Sequence, residues 1–407
     1  MRAEPLHAFP PASLAAAAGA SVRALYLHIP FCHTICPFCA FAVHGSRERL
    51  HGPFVASLLR EIELAEPVPA PGAVDSIYVG GGTPSTLGAE HVGRILYRVR
   101  ERFKPAAGAE IAFEVNPEDA RPDYLAQLRA LGVSRLSLGV QSLDDATLRA
   151  LGRSHSGLQA VQAYDSARQA GFDNVNVDLM FGAPGVGTEP FRRDVQRVGE
   201  WRPAHVSLYG LDIEERTLFG RNPHIRAWSV AHREEQAEQY LWAAEALAGF
   251  GYVHYEVSNF CRPGREGRQN LRVWSGSGYL GFGPGAHSCA AGRRWANGRH
   301  LTAYQAGLAR GERPTVFEER LSQVQLANEA LLLALRQRAG LDVAGWEARH
   351  GMAFGPQRTR TCDEMVQRGL AARDGSRLRL TPRGLLVADE ITARLMATDA
   401  GTAETRS

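Results

Sequence analysis

Lysine is nearly missing from this chain of 407 residues: of 46 basic residues, only Lys104 is a lysine and the rest are arginine. A Schiff-base or general-base lysine mechanism is thereby close to excluded, because such chemistry needs an amine whose pKa the fold can lower. Long apolar runs are absent too; nothing approaches the ~18 consecutive apolar residues that a membrane-spanning helix requires. Charge of one sign is scarce. The formal net charge is +3, too small for bulk electrostatic attraction to nucleic acid. Six cysteines are far fewer than a secreted disulfide scaffold of this length would carry. The apolar stretch at 13–20 only faintly mimics a signal core, with one arginine before it and Glu4 upstream. Residues 1–22 therefore read as a disordered tail rather than a targeting segment. The remainder, 44% hydrophobic and 22% charged overall, has the composition of a soluble globular chain with room for two or three domains.

What is present concentrates in one stretch, Tyr26-Leu-His-Ile-Pro-Phe-Cys32-His-Thr-Ile-Cys36-Pro-Phe-Cys39, directly after a short β-type run. Its cysteines stand at C-x3-C-x2-C spacing. Thiolates are the soft ligands that iron–sulfur clusters and zinc select. Three thiolates on a four-iron cluster leave one iron open to an exogenous molecule. Zinc is the first alternative, since its structural sites take four protein ligands. No second close pair follows, because Cys261, Cys289 and Cys362 are mutually distant, but His33 offers a fourth donor. A redox thiol is the other alternative, and a disulfide framework would leave one cysteine of the trio over.

From Arg23 to Tyr209 the chain alternates strand-like and helix-like stretches. Strands are expected at 24–29, 76–79, 110–115, 135–140, 174–180 and 205–209, each short and rich in β-branched or apolar residues. Phe54, Leu58, Leu59 and Ile62 share one helical face, as do Val92, Ile95, Leu96, Val99 and Phe103. Repeated β-α units predict a parallel sheet flanked by helices, and six units are too few for a closed eight-stranded barrel. Gly80-Gly-Gly-Thr83-Pro84 follows the second strand, where glycines allow backbone amides to approach a ligand; a plain tight turn is the bland reading. Glu114 and Gln141 end the third and fourth strands and Asp178 lies within the fifth. Polar side chains at buried strand ends need partners, either a cap or a ligand.

Together these residues resemble the radical S-adenosylmethionine (SAM) superfamily. The surrounding Y-x-H-I-P-F-C resembles its branch of oxygen-independent coproporphyrinogen oxidases and HemW haem chaperones. The resemblance implies an α/β fold: an open (β/α)6 partial TIM barrel with a small helical, winged-helix-like C-terminal domain. It also implies a [4Fe–4S] cluster on Cys32, Cys36 and Cys39, whose open iron chelates SAM. An electron from the cluster then cleaves the sulfonium to methionine and a 5′-deoxyadenosyl radical. Such a cluster needs a reducing compartment, so a cytoplasmic protein is expected. Carried onto this chain, Tyr26, Gly81, Gly82, Thr83 and Glu114 match contacts to SAM. Phe38, Gln141, Arg153 and Asp178 match residues that hold a second SAM in the oxidases. Asp212 and His287 match positions near the first. The implied divisions are a radical SAM core at 23–250, an extension closing the barrel at 251–312, a helical domain at 313–396 and a disordered tail at 397–407. Arg377, Arg379 and Arg383 would sit on the wing, a charge too local to indicate nucleic acid.

Within the branch, the oxidases carry a fourth cysteine where this chain has Phe41, and Cys39-Ala-Phe41 sides with the chaperones. The chaperones' H-N-x-x-Y-W appears here as Gln269-Asn270-Leu-Arg-Val273-Trp274, without the histidine and tyrosine. Two function classes follow. One is a HemW-like haem chaperone that delivers haem to acceptor proteins. The other is a radical SAM enzyme, a porphyrinogen oxidase or a two-SAM methyltransferase, and an electron donor would serve its cluster. An amide is a poor iron ligand, so His254, Cys261 and His287 are the candidate substitutes, with Arg268 and Arg272 available to propionates. Gln269→His is expected to strengthen haem binding.

Overall fold

The computed structural model describes residues 21–66 and 70–396. Both expected tails fall largely outside that range, and Val22 already opens the first strand.

Six short runs become the parallel strands β1 Val22–Ile29, β2 Ser76–Gly81, β3 Glu110–Val115, β4 Arg135–Gln141, β5 Val175–Phe181 and β6 His205–Gly210. They pair in chain order. Period-two alternation gives each strand one face toward the helices and one toward the barrel lumen. Leu25, Leu27, Ile77, Val79, Phe113 and Leu138 form the outer, apolar layer. Against it pack Phe54, Leu58 and Ile62 of α1 (Glu48–Leu64) and Val92, Ile95, Leu96, Val99 and Phe103 of α2 (Ala89–Phe103). The third crossover helix, α3 (Pro122–Ala130), starts on proline and stops before Gly132, whose φ of +89° no other residue adopts cheaply.

The sheet then grows at both edges. A hairpin of β7 (Val253–Glu256) and β8 (Asn259–Cys261) pairs antiparallel with β6. At the other edge β9 (Gly278–Phe282) runs parallel to β1, followed by β10 (His287–Ala290), β11 (Arg293–Asn297) and β12 (Thr315–Arg320), all antiparallel. The result is one open sheet of 12 strands. The strands β11 and β12 have no counterpart in the sequence reading, because their charged residues mask the alternation on an exposed edge. A buried carboxylate ties this edge to α1. Glu61 accepts from the Gly283 amide at 2.8 Å, from Asn297 Nδ2 at 2.6 Å and from the Tyr304 hydroxyl at 2.6 Å.

Past residue 320 the pattern changes to a helical unit with its own core, including Ala327, Leu331, Trp346, Cys362, Met365 and Ile391. The wing expected to carry Arg377, Arg379 and Arg383 would run on through residue 383. The observed pair is instead β13 (Ala371–Asp374) with β14 (Arg377–Leu380). Pro382 cannot donate to a ladder, and the Thr381 hydroxyl accepts from the Gly384 amide at 3.1 Å to start a helical turn there.

Candidate functional site

The cysteine loop lies just past the C-terminal end of β1, the face on which barrels of parallel strands carry their sites. Phe31–Cys32 pairs with His44–Gly45, so the loop leaves and returns at one point. Within it the Cys39 amide donates to the Cys36 carbonyl at 3.0 Å. Burial pushes the Cys32 thiol up to about 11, the Thr83 hydroxyl pulls it back, and the neighbouring Cys39 and Cys36 thiols add to the rise. Burial also raises Cys39. Metal binding would remove these protons. Among the described residues no group of three or more His, Cys, Asp or Glu side chains stands close enough to hold one metal ion. A cubane takes each thiolate on a separate iron and does not require that convergence; a zinc ion does. His33, the candidate fourth zinc donor, turns away, its Nε2 lying 3.0 Å from Asp119 Oδ1.

The glycine turn is built around the same loop. The Gly82 amide donates to the Ile29 carbonyl at 2.8 Å and the Thr83 amide to the Phe31 carbonyl at 2.7 Å. A Cβ on Gly82 would stand 2.8 Å from the Phe31 oxygen and 3.0 Å from Cys32 Sγ, so only glycine lets the turn lie this close. Gly81, at φ +117°, would drive a Cβ into the His28 ring. Glu114 is cradled here: the Tyr78 hydroxyl donates to its Oε1 at 2.7 Å and the Gly81 amide to its Oε2 at 3.1 Å. Burial pushes its pKa to about 7, against the pull of the Tyr78 bond and with a further push from Asp178. Tyr26 stacks on Tyr78 with ring centroids 6.2 Å apart and shares a hydrogen bond with His28 Nδ1 at 3.0 Å.

Arg153 reaches the loop from a distant part of the chain. Its Nη1 lies 3.4 Å from Cys36 Sγ, and Nη2 donates to Asn116 Oδ1 at 2.9 Å and to the Gly139 carbonyl at 3.1 Å. Gln141, beside it, holds a left-handed backbone at φ 63° and leaves a buried Oε1 without a partner. Strain plus an orphaned acceptor is how a site awaiting a ligand presents itself. Asp178 sits deeper, its carboxylate accepting from Ser137 Oγ at 3.2 Å and Asn176 Nδ2 at 2.8 Å, and burial raises its pKa. Phe38 packs on Phe219, centroids 6.3 Å apart, at a small apolar cluster that includes Leu211. Asp212 follows that leucine and is exposed; His287 is exposed at the start of β10.

Sequence reasoning missed Asn116 and Tyr78. Asn116 joins Thr83, Glu118 and Arg153, with Nδ2 3.4 Å from Thr83 Oγ1 and 3.3 Å from Glu118 Oε1. The signal was available, since Asn116 lies two positions after Glu114 and so continues the lumen-facing alternation.

The segment matching the chaperones' H-N-x-x-Y-W lies at the opposite end of the barrel, on the helix Arg268–Trp274. Gln269 is buried, its Oε1 accepting from Ser76 Oγ at 2.9 Å. Arg268 Nη1 donates to the Gly108 carbonyl at 2.6 Å, and Arg272 Nε to Asp75 Oδ1 at 2.9 Å. Both arginines offered to propionates therefore already have partners. The three substitute iron ligands do not converge: His254 and Cys261 lie on β7 and β8 at one edge of the sheet, and His287 on β10 toward the other. His254 stacks on Phe260 at 4.1 Å, burial holds its pKa down at about 3, and Cys261 is fully buried.

A (β/α)6 barrel with three thiols and a glycine turn at its mouth defines a radical SAM protein. The Radical SAM superfamily profile matches residues 26–198 and the HemN C-terminal domain profile residues 321–387. The heme chaperone HemW of Mycobacterium tuberculosis is 36% identical over 376 residues, covering 91% of this chain and 94% of that protein. Its namesake from Lactococcus lactis is 31% identical, covering 92% and 97%. The solved coproporphyrinogen III oxidase HemN of Escherichia coli superposes with a TM-score of 0.78 over 94% of this chain and 92% of its own, at 24% identity. The chain belongs to the HemW family of radical SAM proteins.

Proposed function

We propose that this protein is a haem chaperone carrying a [4Fe–4S] cluster on Cys32, Cys36 and Cys39, with SAM against the open iron. The end-to-end likeness to proteins named heme chaperone HemW carries this reading. When bound, the cluster supplies one-electron reduction and a coordination position for the amino and carboxylate groups of SAM. Glu114, held by Tyr78 and Gly81, accepts from ribose hydroxyls. Gly82 and Thr83 bring backbone beside the cluster loop, and Tyr26 flanks the Tyr78 ring. With Gln269 turned into the barrel, His287 is the exposed candidate for the haem iron. The cytoplasm is the proposed compartment, and haem-accepting proteins and an electron donor are the proposed partners.

Anaerobic reconstitution with SAM and dithionite, with and without haem, tests the reading. The expected result is a haem spectrum that His287→Ala alters, with SAM left intact. A second reading, a radical SAM enzyme on a porphyrinogen or a two-SAM methyltransferase, draws support from the unpartnered Gln141 Oε1 beside Arg153 and from Asp178. Production of 5′-deoxyadenosine or S-adenosylhomocysteine with a porphyrin-like acceptor, without haem binding, would replace the chaperone reading by this one.

A further inference from the structure

We infer that Arg153 sets the reduction potential of the cluster by holding a permanent positive donor against the Cys36 thiolate. The inference rests on the cluster assignment proposed above, and iron content reports on that assignment separately. A guanidinium does not deprotonate in a protein, so the charge is present at every working pH. One branch of the fork lies 3.4 Å from Cys36 Sγ. The other is fixed by Asn116 Oδ1 at 2.9 Å and the Gly139 carbonyl at 3.1 Å. Both of those acceptors are neutral, and the nearby Glu118 carboxylate, which Arg153 helps hold ionised, makes no bond to the guanidinium. Asn116 is itself held through Nδ2 by Glu118 Oε1 at 3.3 Å and Thr83 Oγ1 at 3.4 Å. The aim of Arg153 is thus tied to the glycine turn beside Cys32. Gly139 leaves little slack: a Cβ there would stand 3.1 Å from Asn116 Oδ1 and 3.5 Å from Arg153 Nη2.

One-electron reduction of the cluster adds one negative charge and makes or breaks no bond. A hydrogen bond and a positive charge at a cluster sulfur stabilise the more negative state and raise the potential. Arg153 acts through Cys36, so it is a positioning residue.

The test is a dithionite titration of the reconstituted, SAM-free protein, followed by the electron paramagnetic resonance signal of the reduced cluster. Arg153→Met should shift the midpoint to a more negative potential, and Arg153→Lys, which keeps the charge but not the fork, should fall between. Asn116→Ala, which frees the fork, should give a smaller shift in the same direction. An Arg153→Met protein with full iron and the wild-type midpoint would overturn the inference. If that variant loses iron, the lysine and Asn116→Ala proteins carry the comparison. Loss of iron in all three would also overturn it, by making Arg153 part of the loop's scaffold.

Discussion

The two ends of the barrel are both polar, and they differ in how their polar atoms are occupied. At the N-terminal strand ends polar side chains pair into a belt, with Arg23 Nε and Glu266 Oε1 left over as buried, unpartnered atoms. Gln269 takes Ser76, the Arg268 amide meets Glu110 Oε1 at 3.0 Å, Asn174 Nδ2 meets Glu110 Oε2 at 3.4 Å, and Arg135 donates to Asn174 Oδ1 at 2.8 Å. His205 continues it between Asn176 Oδ1 at 2.6 Å and the Tyr255 hydroxyl at 2.8 Å. At the C-terminal mouth Gln141 Oε1 and Arg153 Nε are buried without partners, and two thiols are held protonated by burial. Leaving a buried polar atom unpaired costs about 1–3 kcal/mol, which a ligand completing it would recover. One end is a plug and the other a receptacle.

The largest expected effect breaks the receptacle outright. Replacing Cys32, Cys36 and Cys39 together by alanine should abolish iron uptake and the visible thiolate-to-iron absorption on anaerobic reconstitution. Full iron content in that variant would reassign the cluster to other residues.

Glu114→Ala comes next. Removing the acceptor for ribose hydroxyls should weaken SAM binding by roughly 1.5–3 kcal/mol, the range for hydrogen bonds to a charged group. Calorimetry on the reconstituted protein measures it, and equal affinities would reduce Glu114 to a partner for Tyr78.

A smaller effect is a slope in stability. Burial raises Glu61, Glu114 and Glu256 from 4.5 to about 7 in the folded chain. At these three sites the native state holds more protons than the unfolded state between those values, so their contribution to stability is greatest below 4.5 and falls as pH rises toward 7. Burial keeps His28, His205 and His254 below their usual range and works the other way in acid, so urea denaturation of the metal-free protein beside its Glu61→Gln variant, at about pH 5 and about pH 8, isolates one acid's share. The stability advantage of wild type over Glu61→Gln should be larger at about pH 5 than at about pH 8; an offset that does not change with pH would mean that Glu61 binds its proton equally well in the folded and unfolded chain.

The smallest effect sharpens the comparison from the plug's side. Gln269→His, expected from the motif alone to strengthen haem binding, should leave haem affinity and the Soret band unchanged, because position 269 faces Ser76 inside the belt. A strengthened, red-shifted haem spectrum in that variant would show that the belt opens.

The sequence by itself determined the six parallel strands and the cysteine loop. Buried strands and thiolate spacing are local patterns: apolar runs of about six residues and three cysteines within eight positions leave few arrangements. Glu114 and the glycine turn were legible for the same reason, at the ends of recognisable strands. Only the tertiary structure decided that Arg153 reaches Cys36 across 117 positions, that Asn116 aims it, and that the helix bearing Gln269 seals the barrel's far end. It also decided the outer strands β11 and β12, whose residues carry too much charge to read as strand. Contacts between single polar atoms far apart in the chain have no period. They are selected by the packing that brings their elements together.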